Sequence, residues 1–437
     1  MSEGQQVYLA FTIVVVWTLW TCRTVWREFR SRAVPTALSP STLVVAYASQ
    51  TGTAKALAEQ KVAALQQQFP EVQLRALSEL TLTDVQKVTR MIFVVSTYGE
   101  GEPPDNGRRF YRQLLRLVAD GVNLSHMGYE IVALGDRRYP RFCEFGIQLD
   151  AALQAAKAQR LQPMLKHDRM TQVTSDNVDD ACVWQLTERS RLNGRASDGL
   201  YLLRLSTEQA LPQWRAGDVL DVLPCYHPGS DAERPEHAPR SYSIASVPAE
   251  GQLLLIVRQQ VNAAGQLGLC SGWLTQSLTP GAKLLGRVRR NTMCHLSDLQ
   301  APLLLIGAGS GLAGLRSQIA QRAQHADAGP IWLIYGERFP QEDVPLAQEI
   351  DQWLQRGVLR RVDRVFSRDA QAPAYVQSVI SEKAAQVQEF LGQQGHVYVC
   401  GSYARMGTGV ERSLRDAIGE QSVDQLLHEQ RYHRDLY

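Results

Sequence analysis

At 437 residues, 44% hydrophobic and 21% charged, the chain is too long for one ordinary core and too apolar for disorder, so two or three domains are expected. A formal net charge of +2, with no run of Lys and Arg interleaved with aromatics, gives no reason to expect a nucleic-acid partner. Seven cysteines without a Cys-x-x-Cys pair argue against a disulfide framework or a zinc site and for a reducing compartment.

The first element is apolar. Val7 to Cys22 carries no charge, and Trp17, Trp20 and Trp26 lie at its end. The run itself is slightly short for a span of about 20 residues, but counted as 4–26 it predicts one transmembrane helix that can make a tilted crossing. No Lys or Arg precedes it, which speaks against a secretory signal, whereas Arg23, Arg27, Arg30 and Arg32 follow. The positive-inside rule then puts all later domains in the cytoplasm, in a single-pass membrane protein. A soluble-domain helix with one apolar face is the other reading, but the run lacks the polar stripe such a helix needs. Residues 27–41, with Pro35 and Pro40, read as a linker.

From 42 to 172 strands alternate with helices. Buried strands are expected at 43–48, 91–95 and 129–134, with a helix over 54–68. Apolar runs that each lead into a loop and a helix imply a doubly wound parallel sheet, whose ligands lie at the carboxyl ends of the strands. Three loops occupy that edge. Ser49-Gln50-Thr51-Gly52-Thr53-Ala54 offers hydroxyls and backbone N–H groups to a phosphate at a helix start, although a Ser or Thr there is often only a helix cap. Ser96-Thr97-Tyr98-Gly99 and Leu134-Gly135-Asp136 with Tyr139 each bring an aromatic to a neighbouring strand end. Two such rings can sandwich an isoalloxazine, so the three loops together describe an FMN pocket.

From 180 to 299 the pattern changes to short strands with Gly and Pro turns, seen at 184–187, 199–205 and 253–257, and predicts an antiparallel β-barrel. Within it Arg240-Ser241-Tyr242-Ser243 places an Arg for a pyrophosphate and, two residues on along the strand, a Tyr that can lie on a flavin ring. Gly268-Leu269-Cys270-Ser271 follows as a helix start suited to the same pyrophosphate. From 300 to 437 alternation returns, with strands at 303–306, 331–335 and 396–400. Gly307-Ala308-Gly309-Ser310-Gly311 follows the first of these and opens a helix, a weak dinucleotide signal by itself.

These stretches, with Glu100 to Pro104 and Arg137 to Cys143 beside them, resemble the diflavin reductases, in particular the sulfite reductase flavoproteins and the NADPH–haemoprotein reductases. The resemblance covers nearly everything from 43 to 437. It implies an α/β flavodoxin-like FMN domain, an FAD-binding barrel and an α/β NADP-binding domain of the ferredoxin-reductase kind, without the helical connecting domain of larger members. It adds Phe142 and Cys143 to the FMN loop. It makes the glycine loop, with Gly307, Gly309 and Ser310, the nicotinamide-dinucleotide site. It also implies that Ser367, Arg368, Tyr375 and Gln377 grip the adenine and 2′-phosphate of NADPH, and that Ser243, Cys400, Asp435 and Tyr437 surround the hydride-transfer point. No metal site is implied.

The expectation is therefore a membrane-anchored reductase that passes electrons from NADPH to FAD, to FMN and then to an acceptor protein holding haem or iron. Two alternatives stay open: a membrane electron-carrier module without its own NADPH oxidation, and an FAD-only quinone or ferric-siderophore reductase.

Overall fold

The computed structural model describes residues 38–437, apart from 50, 51, 99, 100, 138–140, 169–180, 226–236, 238, 263 and 373. The expected membrane anchor at 4–26 and most of the linker lie outside the described residues. None of the described helices is long and apolar enough to cross a membrane.

The first sheet contains β1 (Leu43–Ala48), β2 (Val72–Ala76), β3 (Arg90–Ser96), β4 (Gly128–Gly135), β5 (Gln159–Arg160) and β6 (Leu165–Asp168). Its order is β2-β1-β3-β4, and both β5 and β6 pair with β4. Every pairing is parallel. Side chains alternate between two cores, as the strand period requires. Val44, Ala46 and Ala48 face Phe110, Leu114, Phe145 and Leu149, whereas Leu43 and Val45 face Ala54 and Ala58. The helix expected over 54–68 runs from Thr53 to Leu65 and covers the second face. The helices Asp105–Ala119 and Glu144–Ala155 cover the first. Phe110, Leu114 and Leu117 recur at the spacing that puts one apolar stripe on the sheet. The order reverses between β1 and β3, which opens a crevice at their carboxyl ends.

The second sheet is antiparallel and six-stranded: β7 (Cys182–Arg191), β8 (Leu200–Ser206), β9 (Val219–Val222), β10 (Arg240–Ser243), β11 (Leu253–Arg258) and β12 (Lys283–Arg289), in the order β10-β9-β12-β7-β8-β11. Its two ends meet. Ala245 N–H donates to Leu254 O at 2.8 Å, and Ile244 bridges Leu255. That closure removes both sheet edges and encloses Trp184, Leu203, Leu205, Trp214, Leu220 and Leu255.

The third sheet, β13 (Leu303–Ala308), β14 (Ile331–Glu337), β15 (Leu359–Phe366), β16 (His396–Gly401) and β17 (Tyr432–Leu436), is parallel in the order β15-β14-β13-β16-β17. Its switch point lies between β13 and β16, so the glycine loop 307–311 and Cys400 end side by side.

Barrel and third sheet are pinned together by buried ion pairs. The Arg316 guanidinium donates to Ala245 O at 2.7 Å and to both Glu250 (2.8 Å) and Glu349 (2.5 Å). Asp218, 1% exposed, accepts from the backbone N–H groups of Arg215 and Asn291 and faces His295 Nε2 at 2.6 Å. Replacing Asp218 by Ala strands buried donors on three segments. We expect a loss of about 3 kcal/mol in the urea unfolding free energy, against less than about 1 kcal/mol for Asp198→Ala in an exposed pair.

Candidate functional site

Three predicted residues of the last two domains arrive at one place. β10 brings Ser243 from the barrel, β16 brings Cys400, and β17 brings Asp435. The Ser243 hydroxyl donates to Asp435 Oδ2 at 2.6 Å, and the Cys400 thiol approaches the same oxygen at 3.4 Å. Tyr398, two residues before Cys400 and on the same strand face, adds its hydroxyl at 3.4 Å. Burial raises the Asp435 carboxyl above its ordinary value, and the donors from Ser243, Cys400 and Tyr398 oppose that rise. The Cys400 thiol is pushed up by burial and then by the adjacent carboxylate, so it is a neutral donor.

Three glycines let the helix start lie against β16. A Cβ on Gly311 would stand 2.0 Å from the Cys400 carbonyl oxygen, one on Gly307 2.6 Å from it, and one on Gly314 2.8 Å from the thiol. Gly309 has φ +60 and needs no side chain for a different reason, because Arg258 lies beneath it. Under this loop Arg258 pairs with Glu337 at 2.5 Å, and the Tyr335 hydroxyl lies 2.9 Å from Gly309 O and 3.0 Å from Glu337. Burial raises the Glu337 carboxyl, and Arg258 holds it back. Neither Tyr398 nor this network was found from sequence. The period of two from Cys400 was the available signal for Tyr398.

Tyr437 lies across the loop. Its hydroxyl donates to Ser310 Oγ at 2.8 Å, and its backbone bonds Gly401 and Tyr403. Beyond β15, Ser367 N–H donates to Glu337 O, Arg368 is exposed over Phe339, and Tyr375 is 55% exposed. That leaves a guanidinium and an aromatic face open, as a phosphorylated adenosine requires. Gln377 instead lies beside Gly409, where an added Cβ would stand 3.3 Å from its amide carbon.

The barrel residues depart further from expectation. The Tyr242 hydroxyl bonds Cys270 at the edge of the barrel core while the ring stays part-exposed, and burial carries the Cys270 thiol up to about 12. The Ser271 hydroxyl accepts from Gln260 N–H at 3.1 Å, and its own O–H has only a long 3.5 Å contact to Gly268 O. Gly268 crowds that hydroxyl, and Leu269 is 42% exposed. Ser241 bonds Asp221, which Arg289 also holds at 2.7 Å, and Arg240 lies beside Pro239. Arg289 Nη1 is buried without a partner among the described residues, a donor that fits a phosphate beside β10.

In the flavodoxin-like domain Gly52 has φ +85, and nothing lies within 4 Å of where its Cβ would be, so space is open ahead of the helix Thr53–Leu65. Thr53, the first residue of that helix, presents its N-terminus to the space. Ser49 acts as a cap, accepting from Ala54 N–H at 3.2 Å, while its own N–H donates to Asn106. Ser96 donates to Ala48 O, and Thr97 Oγ1 accepts from Phe145 N–H. Gln50, Thr51, Gly99 and Tyr139 lie outside the described residues.

Two expectations here need correction. Ala54 and Cys143 have no exposed surface and offer a ligand nothing. Cys143 adopts φ +59, which turns its thiol back onto Ala133 O, under Gly135 and Phe142, with burial raising it to about 11. Leu134 and Asp136 keep their places at the strand end, and Phe142 packs against the core under Arg137. Tyr98 was expected to cover a flavin. Its hydroxyl donates to Leu436 O at 2.9 Å and accepts from Leu436 N–H at 3.0 Å, with Arg434 over one face of its ring.

Comparison with known proteins gives two family matches, Flavodoxin over 45–180 and Oxidoreductase NAD-binding domain over 305–412. The chain is 25% identical to the sulfite reductase [NADPH] flavoprotein alpha-component of Bacillus subtilis (strain 168), over 93% of this chain and 91% of that one. It is 26% identical to the Vibrio cholerae protein of the same description (90% and 87%) and 25% identical to that of Neisseria meningitidis serogroup C (93% and 91%). The Bacillus alignment runs over 558 positions, more than the 437 residues here, so that relative carries segments this chain lacks.

Two glycine substitutions separate crowding from backbone strain. Gly311→Ala meets a carbonyl and is expected to lose about 3 kcal/mol or more, whereas Gly52→Ala meets nothing and should lose about 1 kcal/mol through its positive φ. Urea unfolding of both variants checks the order.

Proposed function

Because the chain belongs to the diflavin reductases and, as an NADPH-dependent oxidoreductase, passes electrons from NADPH through FAD to FMN, we propose that hydride enters at the Ser243–Cys400–Asp435 cluster and that electrons leave from the flavodoxin module. The observation that carries the site reading is the convergence of donors from β10 and β16 on one oxygen of a β17 carboxylate. FAD supplies hydride acceptance when bound, and FMN supplies one-electron delivery.

The chain's own residues bind and orient. Arg368, Ser367 and Tyr375 receive the phosphorylated adenosine end of NADPH, and the loop 307–311 receives its pyrophosphate. An ionised Asp435 opposes the positive charge that grows on the nicotinamide as hydride departs. Ser243 and Cys400 hold that carboxylate in position, and the neutral thiol adds no competing charge. Tyr437 leaves Ser310 as the nicotinamide reaches Asp435, a movement of the last residue that opens the site to the donor.

The acceptor we propose is a protein with haem or iron, which takes electrons singly. The relatives' description as one component of a sulfite reductase supports a protein acceptor. Residues 4–26 we propose as a membrane anchor, supported by the uncharged run and the arginines behind it. An NADPH-oxidising activity that sediments with membranes and is released by detergent but not by salt is expected. Release by salt alone would refute the anchor.

Purified holoprotein should yield FMN and FAD in equal amounts, and anaerobic mixing with NADPH should bleach both. Recovery of FAD alone would favour the FAD-only reductase, and no bleaching would favour the carrier module. Asp435→Asn is expected to slow hydride transfer about a hundredfold with little change in flavin content. Arg368→Ala should raise KM for NADPH about tenfold and leave KM for NADH nearly unchanged, read by steady-state kinetics.

A further inference from the structure

The reading above leaves two buried histidines behind Tyr398 unused. Tyr398, His396 and His433 lie behind Asp435, on the faces of β16 and β17 that carry Cys400 and Asp435. The rings of His396 and His433 stack at 5.6 Å and 8° between planes, and the Tyr398 ring continues the stack at 6.4 Å. His433 Nδ1 faces Met293 O at 2.7 Å, and a carbonyl can only accept, so Nδ1 carries the proton. In the neutral ring Nε2 is then an acceptor, and His396 Nδ1, 3.3 Å away, donates to it. Burial lowers both imidazoles, His396 to about 4, so the stack is uncharged at neutral pH. Its two histidines hold the tyrosine ring in place without adding charge beside Asp435.

The Tyr398 hydroxyl cannot turn to water. It is buried among Asp435, Gln318 and Cys294, and burial keeps it protonated far above the ordinary phenol range. A buried hydroxyl next to a carboxylate donates to it, because the carboxylate is the strongest acceptor in reach.

We propose that Tyr398 is a positioning residue for hydride transfer: its hydroxyl is the third donor on Asp435 Oδ2, aimed by the His396–His433 stack behind its ring. The proposal rests on the reading of Asp435 as the charge at the hydride-transfer point. Two donors, Tyr398 and Cys400, come from β16, the parallel neighbour of β17, and Ser243 comes from the barrel. Gly314 leaves the space in which these side chains meet, since a Cβ there would stand 2.9 Å from the Tyr398 hydroxyl and 3.2 Å from Asp435 Oδ2. The other titratable groups that face Asp435 are Cys294 from the turn Thr292–Cys294, Arg289 from β12, Tyr98 from the flavodoxin module and Tyr437 at the chain end. Only Arg289 among them is charged at neutral pH. Removing a donor from the anion therefore raises the pH at which Asp435 takes up a proton.

The test uses the full-length holoprotein with Tyr398→Phe, which keeps the ring and its stack. Protonation of Asp435 is followed by the infrared band of its carboxyl group, isolated as the difference from an Asp435→Asn variant in the same background. We expect that titration to move to higher pH by about one unit. The acid limb of single-turnover flavin reduction by NADPH should move with it, with KM nearly unchanged and the rate near neutral pH lower by about fivefold. An infrared titration identical to the parent's overturns the proposal. So does a rate loss equal at every pH and accompanied by a lower unfolding temperature, which would mark a packing role alone. If Asp435→Asn itself leaves hydride transfer unchanged, the site reading falls and takes this proposal with it. If only the Tyr398→Phe titration stays put, the site reading stands and the proposal falls alone.

Discussion

A carboxylate removed from water stays ionised only if donors reach it, and Asp435 draws its donors from two different sheets. Ser243 comes from an antiparallel barrel and Cys400 and Tyr398 from a parallel sheet, so the site exists only while the two domains are docked. The buried Arg316 and Arg258 pairs explain how that docking is kept. Arg316 reaches from the third sheet's helix to Ala245 O and Glu250 of the barrel, and Arg258 reaches from the barrel to Glu337 of β14, so these charges are satisfied by partners that only the docked arrangement offers. Removing either Arg would leave a carboxylate of the other domain with its desolvation uncompensated, a larger effect than any exposed pair can exert.

The same strand that carries Asp435 also meets the flavodoxin module. Arg434, 1% exposed at its side chain, pairs with Glu411 at 2.9 Å and with Asp105 at the start of the helix Asp105–Ala119. Glu411 in turn receives Arg108 from that helix at 2.7 Å, and Arg112 pairs with Asp424. Acidic and basic partners thus alternate across the contact, and Tyr98 brackets the backbone of Leu436 between them. The buried members of this set hold orientation more than they add stability, since their attraction is largely offset by lost hydration.

How much of this was legible in the chain follows from burial. Strands buried on both faces announce themselves as unbroken apolar runs, and β1, β3, β4, β13, β14 and β16 were all visible in this way. Short barrel strands such as β9 (Val-Leu-Asp-Val) and β12 are too brief and too mixed to separate from turns, and β15 alternates Arg with Val as an edge strand does. The fifth position of the first sheet is split between β5 and β6, so no single run marks it. At the site, the glycine loop was legible from its position between a strand and a helix, whereas the Ser–Cys–Asp set, scattered over the chain, was legible only through the family resemblance. The orientation of Cys143 and of Tyr242 was not, since a left-handed φ and a core partner decide it, and neither leaves a local trace.

Tyr98 shows the limit most clearly. A tyrosine at a strand end beside a hydroxyl-rich loop has the chemistry to stack on a flat ring, and nothing local distinguishes that use from another. Its phenol also carries one donor and an acceptor, which match the free carbonyl and N–H of Leu436 on an edge strand. β17 is at the end of its sheet and pairs only with β16, so its outer backbone groups need partners when another domain covers them. A covering helix has no backbone groups to spare for them, and a side-chain hydroxyl can supply both bonds at once. The demand comes from a strand more than three hundred residues away, and only the assembled fold makes it visible at Tyr98.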